Sequence, residues 1–265
     1  MKTLFDIRGK VSGNAYTLLL EIGPDTCNYA FYNKEGNSID AMKCFTLSGL
    51  EIEERIPELI AELKGGNFNR VIVCSAFPEA VLVPQNQYHQ NHFFLSVMFD
   101  KPGQIFLDDT IIEWQMVNMY ALPGKIYETI MAEFPTAEFF HTYTPFLRND
   151  NNLSDSQIFL HVTTQYLRVI VKKGQQLQLA QIYSYQSAMD ATYYLLKICY
   201  EFHMNQDEVT LVLSGLITDD SGLYDELKNY FSQIQFVQPP FVAAPEKQQP
   251  DHLFSSLYNL TLCAS

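Results

Sequence analysis

Tyr16-Thr17-Leu18-Leu19-Leu20-Glu21-Ile22-Gly23-Pro24 opens the stretch that decides the fold, and Arg70-Val71-Ile72-Val73-Cys74-Ser75-Ala76 closes it. The first is a short apolar run ending in Gly-Pro, the pattern of a buried strand entering a turn. Thr26 to Asn33 follows, with Cys27, Tyr29 and Phe31 alternating against Asn28, Ala30 and Tyr32, and reads as a second strand. Lys34-Glu35-Gly36-Asn37 supplies a glycine-containing hairpin turn, and a third strand runs through Ala41 to Leu47. The period then changes from two to nearly four. Ile52, Ile56, Leu59, Ile60 and Leu63 form one helical face among six charged neighbours, and Gly65-Gly66 stops the helix. The closing run is continuously apolar, as a central parallel strand must be when both of its faces are covered. The order is strand, strand, strand, helix, strand.

The second half repeats that order. Ile158 to Val162 is a buried strand, Leu167 to Val171 a second, and Lys173-Gly174-Gln175 the turn between it and a third through Leu177, Leu179 and Ile182. Ala188, Ala191, Leu195, Ile198 and Phe202 make a helical stripe, and Val209 to Gly215 is the closing strand. First and last strand starts lie 55 residues apart in one half (16 to 71) and 51 in the other (158 to 209). An internal duplication is the expectation, with subdomains at 1–148 and 156–265 and a polar, turn-rich linker at 149–155. Taken as a calcium loop from Asp150, that linker fails, because position six is Asp155 rather than glycine and position twelve His161 rather than glutamate. Ahead of it lie a further strand (Glu113 to Leu122), a helix opened by Pro123-Gly124, and a strand from Glu138 to Tyr143. Beyond the second copy come a helix through Leu223, Leu227 and Phe231, a strand at Ile234 to Val237, a segment with Pro239, Pro240, Pro245 and Pro250, and a last helix through Leu253, Leu257 and Leu260.

Three antiparallel strands, a crossover helix and a parallel strand, used twice, resemble the ribonuclease-H-like unit duplicated in the actin-like ATPase superfamily. The fold class expected is therefore α/β, with mixed sheets of three antiparallel strands plus parallel strands and flanking helices. More closely, Leu211-Val212-Leu213-Ser214-Gly215 and His252-Leu253-Phe254-Ser255-Ser256-Leu257-Tyr258-Asn259-Leu260 resemble the uncharacterised bacterial family named domain of unknown function 3822. The superfamily's pilus-assembly scaffold is the nearest analogy in kind, and a shared fold does not by itself transmit function.

The resemblance implies a nucleotide site in a cleft between the copies, where each first hairpin turn offers backbone N–H groups to phosphates and an aspartate orients magnesium and water. The candidates at the first turn are Glu21, Gly23, Asp25 and Thr26, although Pro24 removes a donor there. At the second turn they are Thr163 and Thr164, whose branched Cβ atoms resist the backbone angles of a phosphate cradle. Ser214 and Gly215 stand where the superfamily's adenosine-contacting loop carries two glycines. His161 reads as an inward core histidine.

Composition narrows the function classes. The chain has 265 residues, 47% of them hydrophobic, and a net charge of −13 from 30 acidic and 17 basic residues. No basic stripe offsets that charge, so nucleic acid is excluded as a partner. No apolar run approaches the roughly 18 residues of a membrane span, and no leader peptide is visible before Asp6, Arg8 and Lys10. Five scattered cysteines fit small buried hydrophobes in a reducing compartment, and the cytoplasm is the expected location. His89 and His92 have no metal-ligand spacing to a third group, and no P-loop, Gly-x-Ser-x-Gly or Cys-x-x-Cys occurs. A nuclease reading places Glu21 and Glu54 but finds no carboxylate at Val73 to Phe77. Phe93 to Phe99 reads as buried structure rather than a docking surface. No catalytic residue and no metal site is assigned. The expectation is a non-catalytic actin-like scaffold or adaptor with a degenerate nucleotide site, no cofactor, protein partners and room for homo-oligomers. The alternative is a divergent ATP-binding protein or small-molecule kinase that takes ATP with magnesium, and a ligand sensor is a third.

Overall fold

The apolar runs found in the sequence become the inner strands of two sheets. The computed structural model describes residues 1–9, 16–47, 52–89, 93–99, 101–149, 156–238, 244–245, 247 and 249–264. Most of the expected linker, 150–155, lies outside the described residues, as do His92, Pro239 and Pro240. The chain divides into two units, Met1–Asn149 with Pro240–Gln248 and Ser256–Ser265, and Asp150–Pro239 with Gln249–Ser255.

The first unit holds β1 (Lys2–Arg8), β2 (Tyr16–Ile22), β3 (Thr26–Asn33), β4 (Ser38–Thr46), α1 (Ile52–Leu63) and β5 (Phe68–Ser75). It continues with β6 (Ala80–Pro84), α2 (Phe93–Met98), β7 (Gln104–Ile111), β8 (Met116–Pro123), α3 (Gly124–Glu133), β9 (Glu138–His141) and α4 (Tyr143–Asn149). Its main sheet has the order β1-β4-β3-β2-β5-β9. The pairs β1–β4, β3–β4 and β2–β3 are antiparallel, and β2–β5 and β5–β9 are parallel. All seven residues of β2 are buried. Leu18, Leu20 and Ile22 point from it to the helix-covered face, where they meet Ile56, Leu59 and Leu63 of α1 and Ile126 and Ile130 of α3. Each such side chain contributes about 1.5–3 kcal/mol by leaving water, which is why the four-residue period of α1 survives as a helix laid on the sheet. A smaller antiparallel sheet, β6-β8-β7, packs Val117 and Met119 against Leu95 of α2. Within 93–99, Leu95 is buried while Val97 and Met98 are exposed, so that cluster is only partly core.

The second unit holds β10 (Gln157–Val162), β11 (Tyr166–Lys173), β12 (Gln176–Ser184), α5 (Ala188–Glu201), β13 (Thr210–Gly215), α6 (Gly222–Lys228) and β14 (Gln233–Phe236). Its sheet order is β12-β11-β10-β13-β14, antiparallel for the first two pairs and parallel for the last two. Order and directions match β4-β3-β2-β5-β9 of the first sheet strand for strand. Even the irregularities correspond: β4 bulges at Asp40 against β3, and β12 at Gln178 against β11. Ile158, Leu160 and Val162 face Leu195 and Ile198 of α5, which a reciprocal Ser187–Asp190 capping box starts. The last helix, α7 (Ser255–Thr261), follows a 3-10 turn at Asp251–Phe254. In that turn, His252 Nε2 lies 2.8 Å from the Ile217 carbonyl and the ring stacks on Phe236 at 4.1 Å. Among the described residues no helix is long and apolar enough to cross a membrane.

Candidate functional site

In open α/β sheets ligands gather at the carboxyl ends of parallel strands, and each unit has one such end. In the first, Glu21 projects from β2 on the face opposite Leu20 and Ile22. It is 2% exposed, and Asn28 Nδ2 donates to its Oε1 at 3.2 Å. Burial, with the Glu21 charge adding to it, pushes the thiols of Cys27 and Cys44 far up, so both stay protonated. Gly23 N–H donates to the Thr26 carbonyl at 2.9 Å and closes the β2–β3 turn. A Cβ on Gly23 would meet the Ala76 methyl at 3.4 Å, an ordinary contact, so neither crowding nor a left-handed backbone requires glycine there. Asp25 and Thr26 are buried, and the Asp25 carbonyl accepts from Leu47 N–H at 2.8 Å.

The second unit repeats the frame with different side chains. Thr163 N–H donates to the Tyr166 carbonyl at 2.9 Å, the counterpart of Gly23 to Thr26. The Thr163 hydroxyl is also held in the turn, donating to the Tyr166 carbonyl at 3.1 Å and accepting from Tyr166 N–H at 3.2 Å. Tyr185 Oη donates to the Thr163 carbonyl at 2.8 Å. Thr164 is exposed. His161 occupies the position of Glu21 and Arg168 that of Asn28. Burial, with the Arg168 charge beside it, pushes the His161 imidazole well below the ordinary histidine value, and its Nδ1 lies 3.0 Å from Ser214 Oγ. This neutral ring stands where an actin-like ATPase is expected to carry a carboxylate.

Gly215 has a reason to be glycine. Its φ is +77°, and a Cβ would lie 2.2 Å from the Val162 carbonyl oxygen. That same oxygen accepts from Leu216 N–H at 2.7 Å, as the Ile22 oxygen accepts from Ala76 at 2.8 Å in the first unit. The two chain crossings are thus built alike, and Gly215 lets the second come close.

Two polar features escaped the sequence reading. Among β7, β8, β9 and α4, the 4%-exposed Asp109 carboxylate accepts from His141 N–H at 2.7 Å, Thr144 Oγ1 at 2.6 Å and Tyr120 Oη at 3.4 Å. Burial pushes this carboxyl up to about 7, and the three hydrogen bonds and Arg148 pull it part of the way back. His141 Nε2 in turn meets the Phe77 carbonyl at 2.9 Å. No local pattern foretells this network, because its members come from separate strands and α4. The second feature is an open groove of about 720 Å³ beside the β10–β11 turn, bordered by Thr164, Tyr166, Tyr185, Asp190 and Tyr194. Asp190 fills the N-terminus of α5 itself, accepting from Gln186 and Ser187 N–H at 3.0 and 2.9 Å, and these bonds hold it below the usual carboxylate range. Among the described residues no three His, Cys, Asp or Glu side chains are placed to hold a metal ion.

Mixed sheets with this twice-used strand order define an actin-like ATPase fold, and solved structures share it. The chain belongs to the family of proteins of unknown function DUF3822, whose model matches residues 10–234. A Bacteroides thetaiotaomicron VPI-5482 protein with actin-like ATPase fold and unknown function superposes with a TM-score of 0.76 at 18% identity, over 94% of this chain and 99% of that one. A chain of the PilM–PilN type IV pilus biogenesis complex gives 0.61 at 14% identity, over 94% and 98%. The cytoplasmic domain of EpsL, an inner membrane component of the Vibrio cholerae type II secretion system, gives 0.50 at 9% identity, over 95% and 96%. No curated protein matches the chain in sequence.

Proposed function

We propose that this protein is a non-catalytic, cytoplasmic scaffold or adaptor of the actin-like fold whose nucleotide site has degenerated. The observation that carries the reading is the closure of both first turns on themselves. The N–H of Gly23 and that of Thr163 are each committed to a carbonyl of the same turn, so neither points at a phosphate. His161, kept neutral by burial, replaces a carboxylate in the second unit, and nothing at Thr163 or Thr164 supplies one. These side chains do not fit a magnesium–phosphate pair. The repeated strand order supports a duplication, read in sequence as 1–148 and 156–265 joined by 149–155, with 240–248 and 256–265 grouping with the first unit in space. Membership of a pilus biogenesis complex and of a secretion system by two fold neighbours supports protein partners for this chain. Five buried free cysteines suit a reducing interior.

The test is thermal unfolding of the pure protein with millimolar magnesium-ATP, alongside phosphate release. A ligand at a hundred times its Kd stabilises the folded state by about 2.7 kcal/mol, a clear rise in Tm. The reading expects no rise and no turnover. Hydrolysis that Glu21→Gln or Asp25→Asn abolishes would overturn it in favour of a divergent ATPase or small-molecule kinase using Glu21, Gly23, Asp25, Thr26, Thr163, Thr164, Ser214 and Gly215. The retained left-handed glycine at Gly215 is the observation that favours this second reading.

A further inference from the structure

The strand correspondence between the two sheets exposes a difference at one edge. In the first unit β4 is covered by β1, which pairs antiparallel along Ala41 to Thr46, just past the bulge at Asp40. In the second unit the matching strand is β12, and its matching stretch is Leu179 to Ser184, just past the bulge at Gln178. Among the described residues β12 has β11 as its one hydrogen-bonded neighbour. Proteins guard such edges with charge, proline or brevity. Here β1 carries Lys2, Asp6 and Arg8, β7 carries Asp108 and Asp109, β6 ends in Pro84, and β9 and β14 are four residues each. The nine residues of β12 hold neither a charge nor a proline. Beside them α5 turns Met189 and Tyr193 outward, 71% and 61% exposed, and Tyr194 stacks on Tyr183 of β12 at 4.6 Å.

Charge decides what fits this edge. Two chains of net charge −13 repel one another over most of their surfaces, so an uncharged strip is where they meet with least repulsion. The strand is also complementary to itself. On its helix-covered face lie Leu179, Gln181 and Tyr183, opposite Val171, Val169 and Leu167 of β11, and on the other face Ala180 and Ile182. A two-fold axis through Gln181 sets Leu179 against Tyr183, Ala180 against Ile182 and Gln181 against Gln181, apolar with apolar and amide with amide. We propose that β12 is the dimerisation edge of this protein, pairing antiparallel with β12 of a second copy about Gln181, with Met189 and Tyr193 of α5 bordering the contact.

The experiment is the solution mass of the full chain by light scattering after gel filtration, at low and high micromolar concentration. The wild type is expected at twice the chain mass at the upper end. Gln181→Lys and Gln181→Glu each set like charges directly opposite and are expected to be monomers, with association weakened at least tenfold in favour of the free chain. Their equimolar mixture is expected to recover the dimer, because opposite charges then face each other. Gln181 is only partly buried, and unchanged circular dichroism and Tm separate a lost interface from a lost fold. A wild type that stays monomeric at high micromolar concentration overturns the proposal and leaves the edge to an extended segment of a foreign protein. Variants that remain dimeric overturn it as well, and neither result bears on nucleotide binding.

Discussion

Replacing Gly215 by alanine tests whether the close crossing of β10 and β13 holds the second sheet together. Two effects act at this position. The φ of +77° places an L residue in the left-handed region, which costs about 1–2 kcal/mol. The new Cβ would also lie 2.2 Å from the Val162 oxygen and 2.9 Å from the Val162 nitrogen. Both are backbone atoms of a central strand, which cannot swing aside as a flexible side chain would. Relief means pushing β13 away from β10, straining the 2.7 Å Leu216–Val162 bond and overpacking the neighbourhood at about 1–3 kcal/mol. Together the loss is about 2–5 kcal/mol, a large part of the ~5–15 kcal/mol that stabilises a typical domain. Urea unfolding followed by circular dichroism measures it. The control is Gly174→Ala in the β11–β12 turn, where φ is +59° and a Cβ meets nothing within 4 Å, so only the left-handed cost applies. Equal losses for the two variants would refute the steric half of the argument.

Two further predictions concern single polar groups. The folded Asp109 carboxyl sits near 7 against an ordinary value of 3.8. Its contribution to stability is therefore fully present below about pH 4 and is lost as pH rises towards 7, by up to ~4 kcal/mol at 1.36 kcal/mol per pKa unit. Asp109→Asn should remove that slope from a plot of unfolding free energy against pH between 4 and 7, and wild-type and variant curves running parallel there would count against it. Ser187→Ala removes the hydroxyl that accepts from Asp190 N–H at 3.2 Å and should cost ~1 kcal/mol. Chemical denaturation reads this, and no measurable loss would show that the Asp190 carboxylate alone holds the first turn of α5.

What the sequence makes legible follows from how each element earns its stability. The strands β2, β5, β10 and β13 are covered on both faces, so they read as apolar runs, and α1 and α5 rest one face on a sheet, so they read as stripes. β1 does not announce itself, because an edge strand leaves Lys2, Asp6 and Arg8 in water and pairs through its backbone. The sheet β6-β8-β7 is obscured for a related reason: β7 contains Asp108 and Asp109, which local preference assigns to a turn, and tertiary partners at Tyr120, His141 and Thr144 reverse that assignment. At the candidate site the sequence supplies residue types but not hydrogen-bond partners. Pro24 and the two threonines warn that the turns are poor cradles, while the commitment of the Gly23 and Thr163 N–H groups depends on geometry alone. The need for a glycine at 215 emerges only from the distance to Val162.

The division of the chain also bears on how it is made. Residues 256–265 belong with the first unit, more than a hundred positions after that unit's other strands and helices end at Asn149. Leu257, Tyr258, Leu260 and Ala264 from this late segment are almost wholly buried. On the ribosome, the first unit to be synthesised is therefore among the last to be finished, waiting with an unfilled apolar surface while the whole second sheet emerges. An apolar surface left uncovered over that interval is open to aggregation.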